Sequence, residues 1–233
     1  MGFWSKIKKG LKKAWKAVKS VVRQVVRIVV EVVSRVINLF DLLLGFLGWP
    51  PKKLRLHIFI LSDDKGPLLS AADLEPSIQH LRQTLKDRFN VKLKSYSKSF
   101  VEIIEGAAPK EALEVSCSGA WLDEIGEAGD FFTRHLAGWN GIPVSVTFPI
   151  TAFVVRDVKD KIGCSLGPLS DYITIDPAGV KSESTLSHEV GHSCGLWHFD
   201  GQNNLMNPNA PRGNKVKGWQ MNIFRSSRHV TYW

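Results

Sequence analysis

The stretch "SHEVGHSCGLWHFDGQNNLMNP", Ser187 to Pro208, decides how the rest of this chain is read. His188 and His192 stand four apart, which on a helix places both imidazoles on one face, one turn apart, within reach of a single metal ion. Glu189 lies about 100° around from His188. That is too far round for a ligand, but it can lean toward a water on the ion. Gly195 follows three residues after His192 and can take the positive φ that ends a helix sharply. The turn then brings His198 back to the same point. Three neutral nitrogens and one open position are the coordination of a catalytic zinc rather than a structural one. A water on such an ion loses its proton near neutral pH, and Glu189 is placed to take it and pass it on.

The competing reading is a helix whose histidines are ordinary core or surface residues. Against it, H-E-x-x-H-x-x-G-x-x-H fixes five positions, and chance produces it about once in ten million starting points at ordinary residue usage. These five residues, His188, Glu189, His192, Gly195 and His198, together with Met206 in "NLMNP", resemble the metzincin clan of zinc endopeptidases. "LMNP" is similar to the "LMYP" of its matrixin-like branch. The resemblance implies an α+β domain with a twisted mixed sheet and an active-site helix. It also implies Met206 in a tight turn beneath the metal, hydrolysis of polypeptide substrates, and an edge strand within 163–169 that binds peptide by strand addition. There are departures. The residue after the third histidine, which differs among families, is Phe199 here, with Asp200 next, and this pair assigns the chain to no branch. Pro208 stands where some members carry a tyrosine ligand. No cysteine-switch propeptide and no second histidine cluster are present.

Around the site, hydrophobic periodicity predicts strands at 54–61, 91–104, 144–158 and 171–177. It predicts helices at 75–89, 120–138, 183–198 and 217–229, with Ser182 or Ser184 as cap of the site helix. Strands interleaved with helices fit a mixed sheet with helices packed on it.

Residues 1–49 differ from the rest. Twelve of the 31 Lys and Arg lie between Met1 and Lys53 against two acids, so this quarter carries the whole net charge of +9 and the remainder is nearly neutral. At 100° per residue, Lys12, Lys16, Lys19, Ser20, Arg23, Arg27, Glu31, Ser34, Arg35 and Asp41 share one arc. Phe3, Ile7, Leu11, Trp15, Val18, Val22, Val25, Val29, Val32 and Val36 fall opposite. Either the apolar arc packs on the body, or the helix lies in an anionic membrane surface. The lysine density favours the membrane, with Phe3, Trp4, Lys8, Lys12, Trp15, Lys16, Lys19 and Arg23 as contact residues. The cleanest apolar run, about 14 residues, is short for a span. No cleavable signal pattern or myristoylation site is legible, so the chain reads as membrane-associated or secreted. "GWPPKK" (48–53) breaks the helix, and residues 50–53 form a joint to a metalloprotease domain at 54–233.

Among the three cysteines, a Cys164–Cys194 bridge and separate thiols stay open, with Cys117 alone. His57, His80, His135 and His229 lack partners at metal spacing. Asp171 and Asp176 could hold calcium but fit turn and cap roles better. Arg225 and Arg228 read as solvated or salt-bridged. Nucleic acid is not an expected partner, because phosphate contact has no use for a valine stripe. The expected function is a zinc endopeptidase held at a membrane. Its rivals are a membrane-disrupting protein whose effector is residues 1–49, and a latent protease with that segment as propeptide.

Overall fold

The computed structural model describes residues 3–44, 51–118, 123–124, 126–136 and 148–232, and within the first helix the side chains of 8 and 10–36. The expected helix start at 120–122, the strand residues 144–147 and the side chains of Phe3, Trp4 and Asp41 lie outside them.

The fold is α+β. Its centre is β1 (Lys52–Asp63), buried along most of its length. β1 pairs in parallel with β3 (Val91–Ser95), β4 (Val101–Ala107) and β6 (Ile150–Val154). It pairs antiparallel with β2 (Gly66–Pro67) and β10 (Val230–Thr231). β6 pairs in parallel with β9 (Tyr172–Ile175), and β8 (Gly163–Ser165) closes the path antiparallel to β9. Alternation in β1 divides two cores. Leu54, Leu56, Ile58 and Ile60 meet Ile78 and Leu81 of α2 (Glu75–Thr84) and Leu186 and Val190 of α6 (Ser184–Ser193). Leu61, Phe153 and Tyr172 meet Phe132 of α4 (Glu127–Arg134) on the other face. Sheets buried on both faces read as near-continuous apolar runs, as β6 does. Short helices α3 (Lys110–Leu113), α5 (Pro177–Lys181) and α7 (Gly218–Arg225), and a small pair of β5 (Glu114–Val115) with β7 (Asp157–Val158), complete the body.

The expected single strand at 91–104 is two strands, because Ser97–Ser99 leave β1 between the Tyr96 N–H bond to Leu56 O and the Phe100 O bond from Ile58 N–H. The site helix has Glu183 at its N-cap, and neither Ser182 nor Ser184 takes that place. The cysteines pair differently from either expectation. Cys117 and Cys164 form the disulfide, and Cys194 is free and buried.

α1 (Phe3–Leu44) is one continuous amphipathic helix, and its orientation inverts the packing expected of a docked amphipathic helix. The polar arc faces the body: Ser20, Gln24, Arg27 and Glu31 are buried. Leu11, Trp15, Val18, Val22, Val25, Val29, Val32 and Val36 are each more than half exposed. Arg27, 0% exposed, bridges Glu124 at 2.7 Å and Asp171 at 2.7 Å. Burial opposes its charge, but Asp171 and Glu124 outweigh that, so its pKa is raised. Asp171 also binds Arg228, whose backbone N–H donates to Glu31 at 3.3 Å. Arg228 and the two carboxylates thus belong to a buried network and not to solvent. No described helix is long and apolar enough to cross a membrane.

Removing one partner of such a network leaves buried charge uncompensated. Arg27→Met is expected to lower unfolding free energy by about 3–5 kcal/mol, against less than about 1 kcal/mol for Lys16→Ala at the exposed Lys16–Asp130 pair. Denaturant titration of both variants checks this; equal effects would contradict the network's role.

Candidate metal centre

α6 carries His188, Glu189 and His192 in a helix whose residues are almost all buried. It stops at Gly195, which has φ +88°, and a Cβ there would lie 2.6 Å from the Arg35 guanidinium of α1. The turn returns His198 to the other two rings. Met206 lies under the helix and is fully buried; a Cβ on Gly191 would come within 2.6 Å of its sulfur. The Met206 turn is itself held by Asn204, whose side chain accepts from Met206 N–H at 2.8 Å and donates to Gln220 at 2.9 Å.

The three imidazoles converge through Nε2, at 3.1 Å between His188 and His192 and 3.2 Å between His192 and His198. Nδ1 of His188 donates to Leu205 O at 2.9 Å, and Nδ1 of His192 to Leu196 O at 2.8 Å. Those bonds fix the tautomer and leave both Nε2 atoms as acceptors. Two lone pairs at 3.1 Å cannot be a hydrogen bond; they repel unless a cation lies between them. Four-coordinate zinc with bonds of about 2.0–2.1 Å sets its ligand nitrogens about 3.3 Å apart, so the spacing fits. Burial lowers the pKa of His188 to about 3 and of His192 to about 4, and burial also lowers that of His198. All three rings are therefore neutral, as metal ligands must be.

Glu189 is buried beside this cluster, and burial pushes its carboxyl up to about 7. Its backbone neighbour is Ser165 of β8, whose N–H bonds the carboxylate. Gly163 leaves it room: a Cβ there would meet Glu189 Oε1 at 3.1 Å. The site is therefore bounded by the end strand of the sheet path. Among the described residues, His188, His192 and His198 form the one cluster able to hold a metal ion.

The other histidines are engaged elsewhere. His57 lies 3.2 Å from Glu102, His80 2.9 Å from Ser187, His135 2.8 Å from Phe131 O and His229 2.7 Å from Phe148 O. The calcium expectation finds no support: Asp176 caps α5 by accepting from Gly179 N–H at 2.7 Å, and Asp171 is ion-paired. Sequence reasoning reached Gly163 and Ser165 only as part of the expected edge strand and passed over Asn204, Gln220 and Arg212, the last half-buried beside the Met206 turn. Only the Asn pair in "QNNLM" carried a local signal, as Asx-turn formers.

No known family profile and no curated protein matches the chain. Solved structures do. Metalloproteinase-II from Bacteroides fragilis superposes with a TM-score of 0.52 at 15% identity over 77% of this chain, which spans about half (54%) of that one. Mirolysin, solved in complex with compound 9, superposes with a TM-score of 0.50 at 13% identity over 76% of this chain and 92% of its own. The chain shares the fold of these metalloproteinases.

Zinc added to metal-free protein is expected to bind one per chain and raise the melting temperature, since a ligand of the folded state stabilises it by mass action. His192→Ala should lose both effects in dialysis and calorimetry.

Proposed function

We propose that the chain is a zinc endopeptidase of metzincin type, matrixin-like in its Met206 turn, with His188, His192 and His198 as ligands and residues 54–233 as the protease domain. The observation that carries this is the convergence of three Nε2 lone pairs at 3.1–3.2 Å with the tautomers of His188 and His192 fixed. When bound, zinc supplies Lewis acidity to a water and to the scissile carbonyl. Glu189 is the general base: its buried carboxyl, raised toward neutrality, accepts the attacking water's proton and hands it to the leaving amine. Gly163–Ser165, at the end of the sheet path beside Glu189, receives an extended substrate as an added strand. The shared fold with metalloproteinases supports the reading.

The second part of the proposal concerns residues 1–49, which hold the enzyme at an anionic membrane. Lys8, Lys12 and Lys19 are exposed at its cationic end beside Trp15. The valine arc is free to enter lipid because Ser20, Gln24, Arg27 and Glu31 of the polar arc are spent on the body. Phe3, Trp4 and Lys16 extend this contact, Lys16 while paired to Asp130, whereas Arg23 is half-buried.

Glu189→Gln is expected to retain zinc and lose at least about 100-fold in cleavage of an unfolded protein, the scale of a lost general base. Undiminished cleavage would refute the mechanism. Cofloatation with phosphatidylglycerol vesicles checks the membrane part. Wild type should float, and a Val22, Val25 and Val29→Ser variant should not. A floating variant would refute insertion of the valine arc. Vesicle leakage by Glu189→Gln would favour the membrane-disrupting rival.

A further inference from the structure

The face of the sheet turned away from the metal centre carries an open cavity. Side chains alternate along β1. Leu54, Leu56, Ile58 and Ile60 face α6, so His57 and Phe59 project to the other side, where Phe59 stacks on Phe153 at 5.7 Å between centroids. Beside them lies a cavity of about 570 Å³, within the range of ligand pockets. Its floor is aromatic. The His57 ring meets Phe59 edge-on at 4.4 Å and Tyr96 at 6.5 Å, and His135 lies 6.4 Å from Phe59. His57 is buried and held from two sides: Nδ1 is 3.3 Å from Ser97 Oγ, and Nε2 is 3.2 Å from Glu102 Oε2. Burial lowers its pKa, so the ring is neutral at neutral pH and leaves the Glu102 charge uncancelled.

The rim is acidic. Glu102 and Glu105 line the cavity from β4, whose register against β1 shifts between Ile60 and Ser62. Such a bulge sets extra residues of one strand against the other and re-aims their side chains. Glu102 keeps one carboxylate oxygen clear of the His57 contact, and Glu105 has no ion-pair or hydrogen-bond partner among the described residues. Arg134, the one cation on the wall among the described residues, is bound to Asp130 at 2.6 Å. Two open carboxylates above an aromatic floor suit an ammonium or guanidinium group, which is attracted by the charge and by the rings together. An anion would be repelled there. The mouth favours a chain over a small ion. Among the described residues β4 pairs with β1 alone, so its outer edge is open, and Ile103 is 40% exposed beside it. An extended polypeptide laid along such an edge finds main-chain partners, and every second side chain turns to one face.

We propose that this cavity is a docking site for a basic polypeptide segment. One Arg or Lys side chain enters between Glu102 and Glu105 over Phe59 and Tyr96, and the main chain of the segment pairs with the open edge of β4. The site lies across the sheet from His188, His192 and His198. It stands whether or not the chain is an endopeptidase.

The test is calorimetric titration of the full-length Glu189→Gln protein with acetylated pentapeptide amides of sequence Thr-Val-X-Val-Thr, where X is Arg, citrulline or Glu. Mass spectrometry of the recovered peptides checks that they stay intact. The Arg peptide is expected to bind about tenfold tighter than its neutral citrulline isostere, the scale of one charge-assisted hydrogen bond. The Glu peptide should bind least, and the Arg-to-citrulline ratio should shrink as salt rises. Adding Glu102→Gln and Glu105→Gln together should bring that ratio to near one. Both positions are exposed, and circular dichroism checks that the fold is kept. A ratio that survives the double substitution would overturn the proposal, as would binding by the parent protein that ignores the charge. Arginine amide, a guanidinium without a chain, should bind more weakly than the Arg peptide. Equal affinity would assign the cavity to small cations and overturn the polypeptide. A benzophenone-bearing Arg peptide should photo-crosslink to residues 101–107. Crosslinks confined to Gly163–Ser165 would place the peptide at the metal centre and overturn the docking site while leaving the endopeptidase reading intact.

Discussion

Two hydrogen bonds set the character of this protein: Nδ1 of His188 to Leu205 O and Nδ1 of His192 to Leu196 O. They turn two buried, neutral rings so that their lone pairs meet, an arrangement that is unfavourable alone and favourable around a cation. Much of the local architecture serves those bonds. Gly195 turns the chain so that Leu196 O can face His192. Asn204 and Gln220 fix the segment that offers Leu205 O and places Met206 under α6. Gly191 and Gly163 keep space on either side for Met206 and for Glu189. Burial does the electrostatic work, lowering the histidine pKa values and raising that of Glu189, so one desolvated environment acts on the three rings and the carboxyl together.

α1 obeys a different constraint. A docked amphipathic helix normally buries its apolar stripe; here it buries ions. The charges of Arg27, Glu124, Asp171, Arg228 and Glu31 pair in the buried seam, with Arg35 also on Glu31, while the valine arc remains on the surface. Arg35 of α1 also lies against Gly195 at the end of the site helix and donates to Ser226 at 3.3 Å.

The site was legible because its chemistry is local. His188, His192, Gly195 and His198 are set by helix periodicity and one positive-φ turn, both written in adjacent residues. The long-range parts were not. Pairing Cys117 with Cys164 depends on where two distant segments meet, which spacing does not reveal. The amphipathicity of 1–49 was plain, but hydrophobicity alone pointed the valine arc inward or into lipid and said nothing of Asp171 and Glu124, which lie more than ninety residues away. The break at Ser97–Ser99 was hidden because alternation continues through it. Arg212 looked like an ordinary loop residue until Thr185 and Asn207 were seen to clamp it.

X-ray absorption at the zinc edge of the metal-loaded protein tests the central claim most directly. The account predicts three imidazole nitrogens at about 2.0–2.1 Å and one further light-atom ligand in a four-coordinate shell, with loss of one nitrogen in His198→Ala. A sulfur ligand at about 2.3 Å, or a shell unchanged by that substitution, would contradict it and move the metal away from the His188, His192 and His198 cluster.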